Sequence, residues 1–453
     1  MTPKNKLGLF DFTLIVVSLV IGMGIFRTPA NVAKESPTPL IFFIIWLAGG
    51  LVALCGALTY AEIGSRLPVM GGYYKVFSYA YHPSIAFAIN CIILVSNAAS
   101  GAAVALVGSE YITGVIMPGV TDPGTIQVVH TVIALVAIII FYAVNMLGLR
   151  LSAKTQVILT IIKITLILLL IAPIFFAVEP SLSSQAVPAI SPGLREYVKA
   201  FGLGLVAVSF TYGGYQQTIN FGAEVNKPDR YIPRGIFMGI AIIITLYLAI
   251  NYAYVHVIGF ENMKMEAQKA APNIAAIMAS KIFGVNAERI LSAFLFLSVL
   301  AYINALLLSN PRVMYAMSDD RILPAAFQKK NKRGALVVAL TVFAVLAAVS
   351  VFWARKFDKL LSFSIFLDSF GMVLSAGSIF VIRKRTAHLN GTGIYSMKWY
   401  PWLTLIFMAA YSFVAISIAI DYKNNDNAAL VGSSVLAFFI AIYFIARALK
   451  KTS

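Results

Sequence analysis

The side chains that could do chemistry in this sequence are few, and they lie inside long apolar runs. Lys163 lies in the run 153–178, about nine residues after Lys154, and Asp368 lies in the run 360–386. At about 1.5 Å per helical residue, Lys163 would be roughly 13 Å inside a bilayer, close to its midplane. An ammonium group there either meets partners inside a helix bundle or extends along its helix to the lipid–water interface. On the first interpretation, Lys163 has a functional role.

Two glycines interrupt the first apolar run, in the stretch 21–26 with the sequence IGMGIF. Gly22 and Gly24 carry no Cβ and each costs about 1 kcal/mol in a helix interior, so we expect the helix to unwind here. Unwound backbone at membrane depth has N–H and C=O groups that lipid cannot bond, and it is found where it lines a polar cavity. Alternatively, the glycines allow a neighbouring helix to approach closely.

A second interruption lies five apolar runs later, in the stretch 210–215 with the sequence FTYGGY. Paired interruptions in the two halves of a chain are typical of secondary transporters, in which the substrate binds between the broken helices. The sequence therefore predicts a cavity between the two breaks, with Gly22, Tyr212 and Gly214 in its lining.

The third apolar run contains the small and polar stretch 96–103, with the sequence SNAASGAA. Small residues serve either close helix packing or the lining of a pocket. On the second interpretation, Asn97 and Ser100 line the cavity and leave room for a substrate side chain.

Composition identifies the class of protein that must position these groups. The chain has 453 residues, of which 60% are hydrophobic and 12% are charged, and its mean hydropathy is +0.86. Soluble domains carry about twice that charged fraction, so the sequence predicts an all-α integral membrane protein. The formal charge of +17 is an orientation signal rather than a sign of nucleic-acid binding.

Twelve stretches are long enough to cross a hydrocarbon layer of about 30 Å. The predicted spans are 8–33, 39–67, 83–117, 126–149, 153–178, 195–222, 232–260, 285–317, 335–354, 360–386, 399–421 and 428–449.

These spans suggest a single transmembrane domain, 1–453, with internal symmetry. The stretch 179–194, which contains several prolines and serines, separates five spans from the next five. Five spans invert the second half relative to the first, which predicts inverted repeats at 7–178 and 195–386 with helices 1 and 6 broken. Two further helices, at 399–449, have no glycine break and are predicted to serve as scaffold or oligomer contacts.

The remaining charges and reactive residues narrow the function. Most Lys and Arg residues fall on the side of both termini, which predicts cytoplasmic termini in a plasma or bacterial inner membrane. The four histidines are scattered, and no motif for a metal, a cofactor or a nucleophilic serine occurs, so no cofactor or metal is expected and an enzyme is disfavoured. A nutrient sensor or a channel built on the same helices is a third class of function, beside a transporter and an enzyme.

Four motifs in order resemble the amino acid, polyamine and organocation (APC) superfamily of permeases. They are G-x-G-I-F in span one, F-x-Y-G-G in span six, E-V-x-x-P-x-R-x-I-P-R after it, and Y-A-M-x-x-D-x-x-L-P after span eight. The stretch 156–163, QVILTIIK, resembles the fifth helix of the L-type amino acid transporters and their bacterial relatives. The resemblance runs from about Leu7 to Arg385.

The resemblance implies an α-amino acid bound between helices 1 and 6. The backbone N–H groups that would hold its carboxylate belong to Met23, Gly24 and Ile25. The carbonyls that would accept from its ammonium group belong to Val20, Phe210 and Gly213. Phe210 would also be an aromatic gate, and Lys163 would replace the sodium ion of coupled relatives and brace helix 1 against helix 8. Met23 stands where many relatives have serine, so a hydroxyl contact to the carboxylate is missing.

The predicted function is sodium-independent transport of α-amino acids, chiefly neutral, by alternating access and exchange. A proton-coupled symporter, or a transporter of cationic amino acids or polyamines, is the alternative, and Asp368 is the residue that could meet a cationic side chain. The expected partners are the amino acid and the lipid bilayer. No disulfide-linked accessory subunit is expected, because the loop 118–125 contains no cysteine.

Overall fold

The computed structural model describes residues 6–117, 119, 122–175, 193–268, 274–283, 285–353, 357–420 and 428–452. The regular elements in these ranges are sixteen α-helices and several 3-10 turns. The helices are α1 (Leu9–Val20), α2 (Gly24–Glu35), α3 (Pro39–Arg66), α4 (Gly72–Ala80), α5 (Pro83–Ile116), α6 (Pro123–Met146), α7 (Leu149–Ile171), α8 (Leu194–Tyr212), α9 (Pro228–Val257), α10 (Phe260–Glu266), α11 (Ile274–Phe283), α12 (Val285–Asp319), α13 (Val337–Trp353), α14 (Phe357–Arg385), α15 (Trp402–Ile420) and α16 (Ala428–Thr452).

Several long helices begin at a proline, which lacks the N–H group that the first turn of a helix cannot bond. Helix α3 begins with Pro39 after Thr38, whose hydroxyl accepts from the N–H of Ile41 at 3.3 Å. Helix α6 begins with Pro123 after Asp122, whose carboxylate accepts from the N–H of residue 125 at 2.7 Å. These caps fix where the apolar helices enter the bundle.

Eight of the described helices are long and apolar enough to cross a membrane, and the pair α1 and α2, bent by 43°, forms a ninth candidate. Helix α8 carries charge in its first turns, and α13 and α16 contain shorter apolar stretches. The all-helical membrane class is confirmed in these ranges, while the count of twelve spans stays a prediction. The short helices α4, α10 and α11 were not predicted, and most of the predicted linker 179–194 lies outside the described residues.

The side of the bundle that holds Leu7 is closed by buried ion pairs. The Glu224 carboxylate accepts from Arg312 at 2.6 and 3.1 Å, and the guanidinium lies 4.5 Å from the centre of the Phe221 ring. Glu62, fully buried, accepts from Arg383 at 2.6 and 2.7 Å. We call this side the Leu7 side.

The ends of the chain segments on the Leu7 side are also tied by the backbone. The Leu7 N–H donates to the carbonyl of Glu224 at 2.7 Å, and the Asn226 N–H donates to the carbonyl of Leu7 at 2.9 Å. Nearby, Lys75 on α4 donates to Asp319 and Asp320 at 2.8 and 2.6 Å. Partial burial acts to lower the pKa of Lys75, but these bonds outweigh it and the pKa is raised.

The opposite side has a weaker polar closure. Arg27 on α2 meets Glu110 on α5 at 3.3 Å, and the Glu110 side chain is 45% exposed. Because exposed pairs contribute little stability, the described residues of this side are held by weaker ion pairs than those of the Leu7 side.

Candidate functional site

The first helix break separates α1 from α2. Helix α1 ends at Val20, Ile21 has an extended backbone, and α2 begins at Gly24. No side chain caps the N-terminus of α2 within the described residues, and the Phe26 N–H bonds the carbonyl of Met23 at 3.1 Å. The first N–H groups of a helix have no partner inside it, so this end presents free donors and the positive end of the helix dipole.

The second break follows α8. Tyr212 ends the helix, Gly213 is extended, and Gly214 has a φ of +113° before the 3-10 turn Tyr215–Asn220. A Cβ on Gly214 would lie 2.2 Å from the carbonyl oxygen of Leu19. Glycine is therefore required here both by the backbone conformation and by the close approach of α1.

The two breaks touch each other. A Cβ on Gly24 would lie 2.7 Å from the Thr211 hydroxyl, which itself donates to the hydroxyl of Thr28 at 2.9 Å. The Tyr247 hydroxyl of α9 lies 3.3 Å from the carbonyl oxygens of both Val20 and Thr211. The Tyr247 hydroxyl is thus within hydrogen-bond distance of one carbonyl from each broken helix.

A cavity lies between the breaks, with a volume of about 90 Å³ on a scale on which one water molecule needs about 10–15 Å³. The predicted site residues that line it are Val20, Gly22, Met23, Gly24, Asn97, Ser100, Phe210, Gly213 and Gly214. Both breaks and the predicted stretch of α5 therefore meet at one cavity.

Three predicted site residues lie behind the cavity wall. Ile25 is fully buried, and Tyr212 packs its ring against Tyr247 and Trp46, with centroids 5.0 and 6.0 Å apart. Lys163 is fully buried on α7. The side chains of these residues support the wall rather than line it.

Lys163 lies at the C-terminus of α1. Its ammonium group donates to the carbonyl of Ile21 in a short contact and reaches the carbonyl of Ser18 at 3.5 Å. A cation at a helix C-terminus compensates the negative end of the dipole and bonds carbonyls that the helix leaves unpaired. The snorkelling alternative does not describe this side chain, which points into the bundle.

Gln156, about two helical turns before Lys163, joins α1 to α12. Its amide nitrogen donates to the Ser18 hydroxyl in a short contact and to the carbonyl of Ala301 at 3.0 Å, and its oxygen accepts from Asn304 at 2.5 Å. Among the described residues, the hydrogen bonds of Lys163 reach α1 alone, and the hydrogen bonds between the first and eighth spans are made by Gln156. In the sequence, the feature that could have indicated this role was a single glutamine inside an apolar run.

Two polar side chains of α5 bond α12 beside the cavity. The Asn97 amide donates to Asn310 at 2.7 Å, and the Ser100 hydroxyl lies 3.1 Å from the Tyr302 hydroxyl. The predicted alternatives for this stretch, packing and lining, therefore both apply.

Comparison with known proteins decides the class. Residues 7–446 match the sequence model of the family described as "Amino acid permease". The chain belongs to the amino acid permease family. The permease is thus a multi-pass membrane transporter rather than an enzyme, and the resemblance to the superfamily is confirmed.

Three curated relatives that match the permease over most of their length are named as transporters or exchangers. It is 26% identical over 450 residues to the serine/threonine exchanger SteT of Bacillus subtilis (strain 168), covering 96% of each chain. It is 23% identical to the cystine/glutamate transporter of Pongo abelii, covering 98% of the permease and 85% of the relative. It is 25% identical to large neutral amino acids transporter small subunit 2 of Mus musculus, covering 81% and 68%.

Proposed function

We propose that the permease exchanges neutral α-amino acids across a cell membrane without sodium, by alternating access, with both termini in the cytoplasm. The observation that carries this proposal is the pairing of free N–H donors at the start of α2 with backbone carbonyls of both breaks around one cavity. The names of two relatives, a serine/threonine exchanger and a large neutral amino acids transporter subunit, support the substrate class and the exchange mode.

The substrate carboxylate would bind the start of α2. The N–H groups of Met23, Gly24 and Ile25 lie at the N-terminus of α2. The helix dipole is positive there, so this end favours binding of an anion. Although the Ile25 side chain is buried away from the cavity, its role requires only its backbone.

The substrate ammonium group would bind carbonyls at the ends of α1 and α8. The carbonyls of Val20 and Phe210 already accept one bond each, from Tyr247 at 3.3 Å and from the Gly213 N–H at 3.2 Å. A carbonyl oxygen has two lone pairs, so each keeps an acceptor site for the substrate, and the carbonyl of Gly213 would supply a third. Phe210 would close over the bound substrate.

Lys163 would make sodium unnecessary. Its ammonium group is already bonded to carbonyls at the C-terminus of α1, where a bound cation would otherwise stabilise the break. The negative helix end is thus neutralised in every turnover, and a sodium ion has no charge to compensate there.

Contacts between spans five apart support the inverted repeat proposed for 7–178 and 195–386. Thr28 of α2 bonds Thr211 of α8, and Tyr142 of α6 bonds Thr341 of α13 at 2.9 Å. Helices α3 and α9 pack together, as do α5 and α12. Two halves related by a two-fold axis are expected to meet through such equivalent pairs.

Counterflow in proteoliposomes tests the proposal. We expect uptake of labelled serine or leucine to rise strongly when unlabelled amino acid is enclosed, and to be unchanged when choline replaces sodium. Liposomes holding the Gly24→Val variant are the control for leak. Uptake that requires sodium, or that follows only an imposed pH gradient whatever the vesicle contains, would overturn the exchange mechanism.

A further inference from the structure

We propose that Asp368 binds an ammonium group on the substrate side chain, so that the permease accepts amino acids with a cationic side chain beside neutral ones. This inference rests on the proposed function, because it assumes that the amino acid lies between the two breaks. It extends the substrate class of the same cavity.

The carboxylate of Asp368 lines the cavity from α14. Across the part of the chain that the structure describes, no hydrogen bond or ion pair reaches it. A charged side chain inside a membrane bundle is costly and marks a path or site for ions or substrates. A carboxylate that lines a cavity and has no donor among the described side chains is an acceptor that a ligand can bond.

The charge of the cavity wall has one sign. Among the lining residues that the structure describes, Asp368 is the one with a charged side chain, and Lys163 lies behind α1 instead. In a cleft with low-dielectric walls, a single negative charge favours a cation over a neutral group. The fixed ammonium of Lys163 is already bonded to carbonyls and does not pair with Asp368.

A second acceptor on the wall also lacks a donor. The side-chain oxygen of Gln217, a residue 8% exposed, has no hydrogen-bond partner among the described residues, while its nitrogen donates to Asn97 at 3.3 Å. Tyr411 and Tyr302, which also line the cavity, add hydroxyl oxygens and ring faces. An ammonium group offers three donors to such a set, whereas a single proton would fill Asp368 alone.

The arrangement matches a diamino acid in three places. The start of α2 presents donors for the carboxylate, the breaks present carbonyls for the α-ammonium, and α14 presents a carboxylate for the side chain. A neutral side chain of the same length fills the space without the ion pair.

Competition between lysine and norleucine tests this inference, since the two have similar length and differ in the terminal ammonium group. In proteoliposomes that exchange labelled serine, we expect lysine to compete at least tenfold better than norleucine. Asp368→Asn should remove at least tenfold of that preference, which is measured as the ratio of lysine to norleucine competition against the serine exchange that the variant itself retains. Asp229→Asn, the same change on an exposed residue of α9, is the matched control and should keep the preference.

The outcomes separate this inference from the proposed function. Serine exchange without competition by lysine would overturn the inference and leave the function standing. A lysine preference that survives Asp368→Asn would also overturn it. A variant that loses only its response to pH would overturn it as well, and would indicate a proton site.

If Asp368→Asn does not fold, Asp368→Glu keeps the charge but lengthens the side chain. A shift of preference from lysine towards the shorter ornithine is then the required result. Absence of serine exchange in the wild type contradicts the proposed function, and binding of labelled lysine to the purified protein then tests Asp368 directly.

Discussion

The two helix breaks face the same cavity but are stabilised by different means. At the first break, a lysine from another helix, Lys163 of α7, bonds the carbonyls that α1 leaves unpaired. At the second, the support is local, because the Gln216 side chain accepts from the N–H of Gly214 at 2.9 Å and the glycine takes a φ of +113°. The first break thus depends on a charge brought by the fold, and the second depends on backbone shape. Removal of the charge should therefore affect the first break, whereas a side chain added to a glycine should affect either break.

The largest effect is expected from Gly24→Val. The added Cβ alone would lie 2.7 Å from the Thr211 hydroxyl, and a branched side chain would also crowd the N–H groups proposed for the carboxylate. We expect amino acid binding to weaken more than about 100-fold, which is about 2.7 kcal/mol. Equilibrium binding of labelled substrate to purified protein measures this loss.

Gly22→Ala is the matched control within the same break. Its Cβ would be 3.7 Å from the Tyr302 ring, an ordinary contact. Binding in this variant should stay within a few fold of the wild type. Equal losses in the two variants would show that any side chain harms the first break, and the contact with the second break would then not be the cause.

The charge difference between the breaks is tested by Lys163→Met and Gln216→Ala. Methionine keeps the length of lysine but leaves the carbonyls of Ile21 and Ser18 without their donor, at about 1–3 kcal/mol for each buried group. Loss of the neutral Gln216 bond should cost about 1 kcal/mol. We therefore expect exchange to fall at least about tenfold in the first variant and about fivefold or less in the second.

Initial rates of exchange, with melting temperatures of both variants in detergent, measure this contrast. Similar losses in the two variants would contradict the view that charge distinguishes the breaks. Normal exchange in Lys163→Met would remove Lys163 from the proposed mechanism.

A smaller effect than that of Lys163→Met is expected from Tyr247→Phe, which removes the one hydroxyl that both breaks share. It lies at 3.3 Å from a carbonyl of each, so only one good bond is lost, worth about 0.5–1.5 kcal/mol. Substrate affinity should fall roughly 2- to 10-fold. An affinity unchanged in binding assays would mean that water replaces the phenol at both carbonyls.

The breaks themselves could be predicted from the sequence, and much of their support could not. Glycine pairs in apolar runs have a local physical consequence, and the structure unwinds both helices at the predicted stretches, 21–26 and 210–215. Gln156 and Tyr247 act through partners far away in the chain, and a single glutamine or tyrosine in an apolar run has many possible neighbours. Their roles depend on how α7 and α9 pack against α1, which no local pattern specifies.

The predicted lysine illustrates the same limit. Its depth in the membrane followed from counting residues and stays a prediction, while the structure shows that its side chain is fully buried in the bundle. Its partner on α1 was expected from the resemblance, but the hydrogen bond to the eighth span is made by Gln156, about two helical turns away. The part of the sixth span after the break was predicted to continue as a half-helix to residue 222. It is instead the 3-10 turn Tyr215–Asn220 followed by a second short turn, because the Gly213 and Gly214 backbone redirects the chain.

The two backbone bonds between Leu7 and the segment 224–226 give the transport cycle an intrinsic reporter. Under the proposed alternating access, opening of the Leu7 side by motion of α1 away from this segment would break both bonds and expose the amides of Leu7 and Asn226 to solvent. Their rates of hydrogen–deuterium exchange therefore count how often that side opens, without a label on the protein. Adding substrate to one side of a vesicle would then shift the deuterium uptake curves of these two amides. Binding in the cavity would thus be followed at two residues outside it.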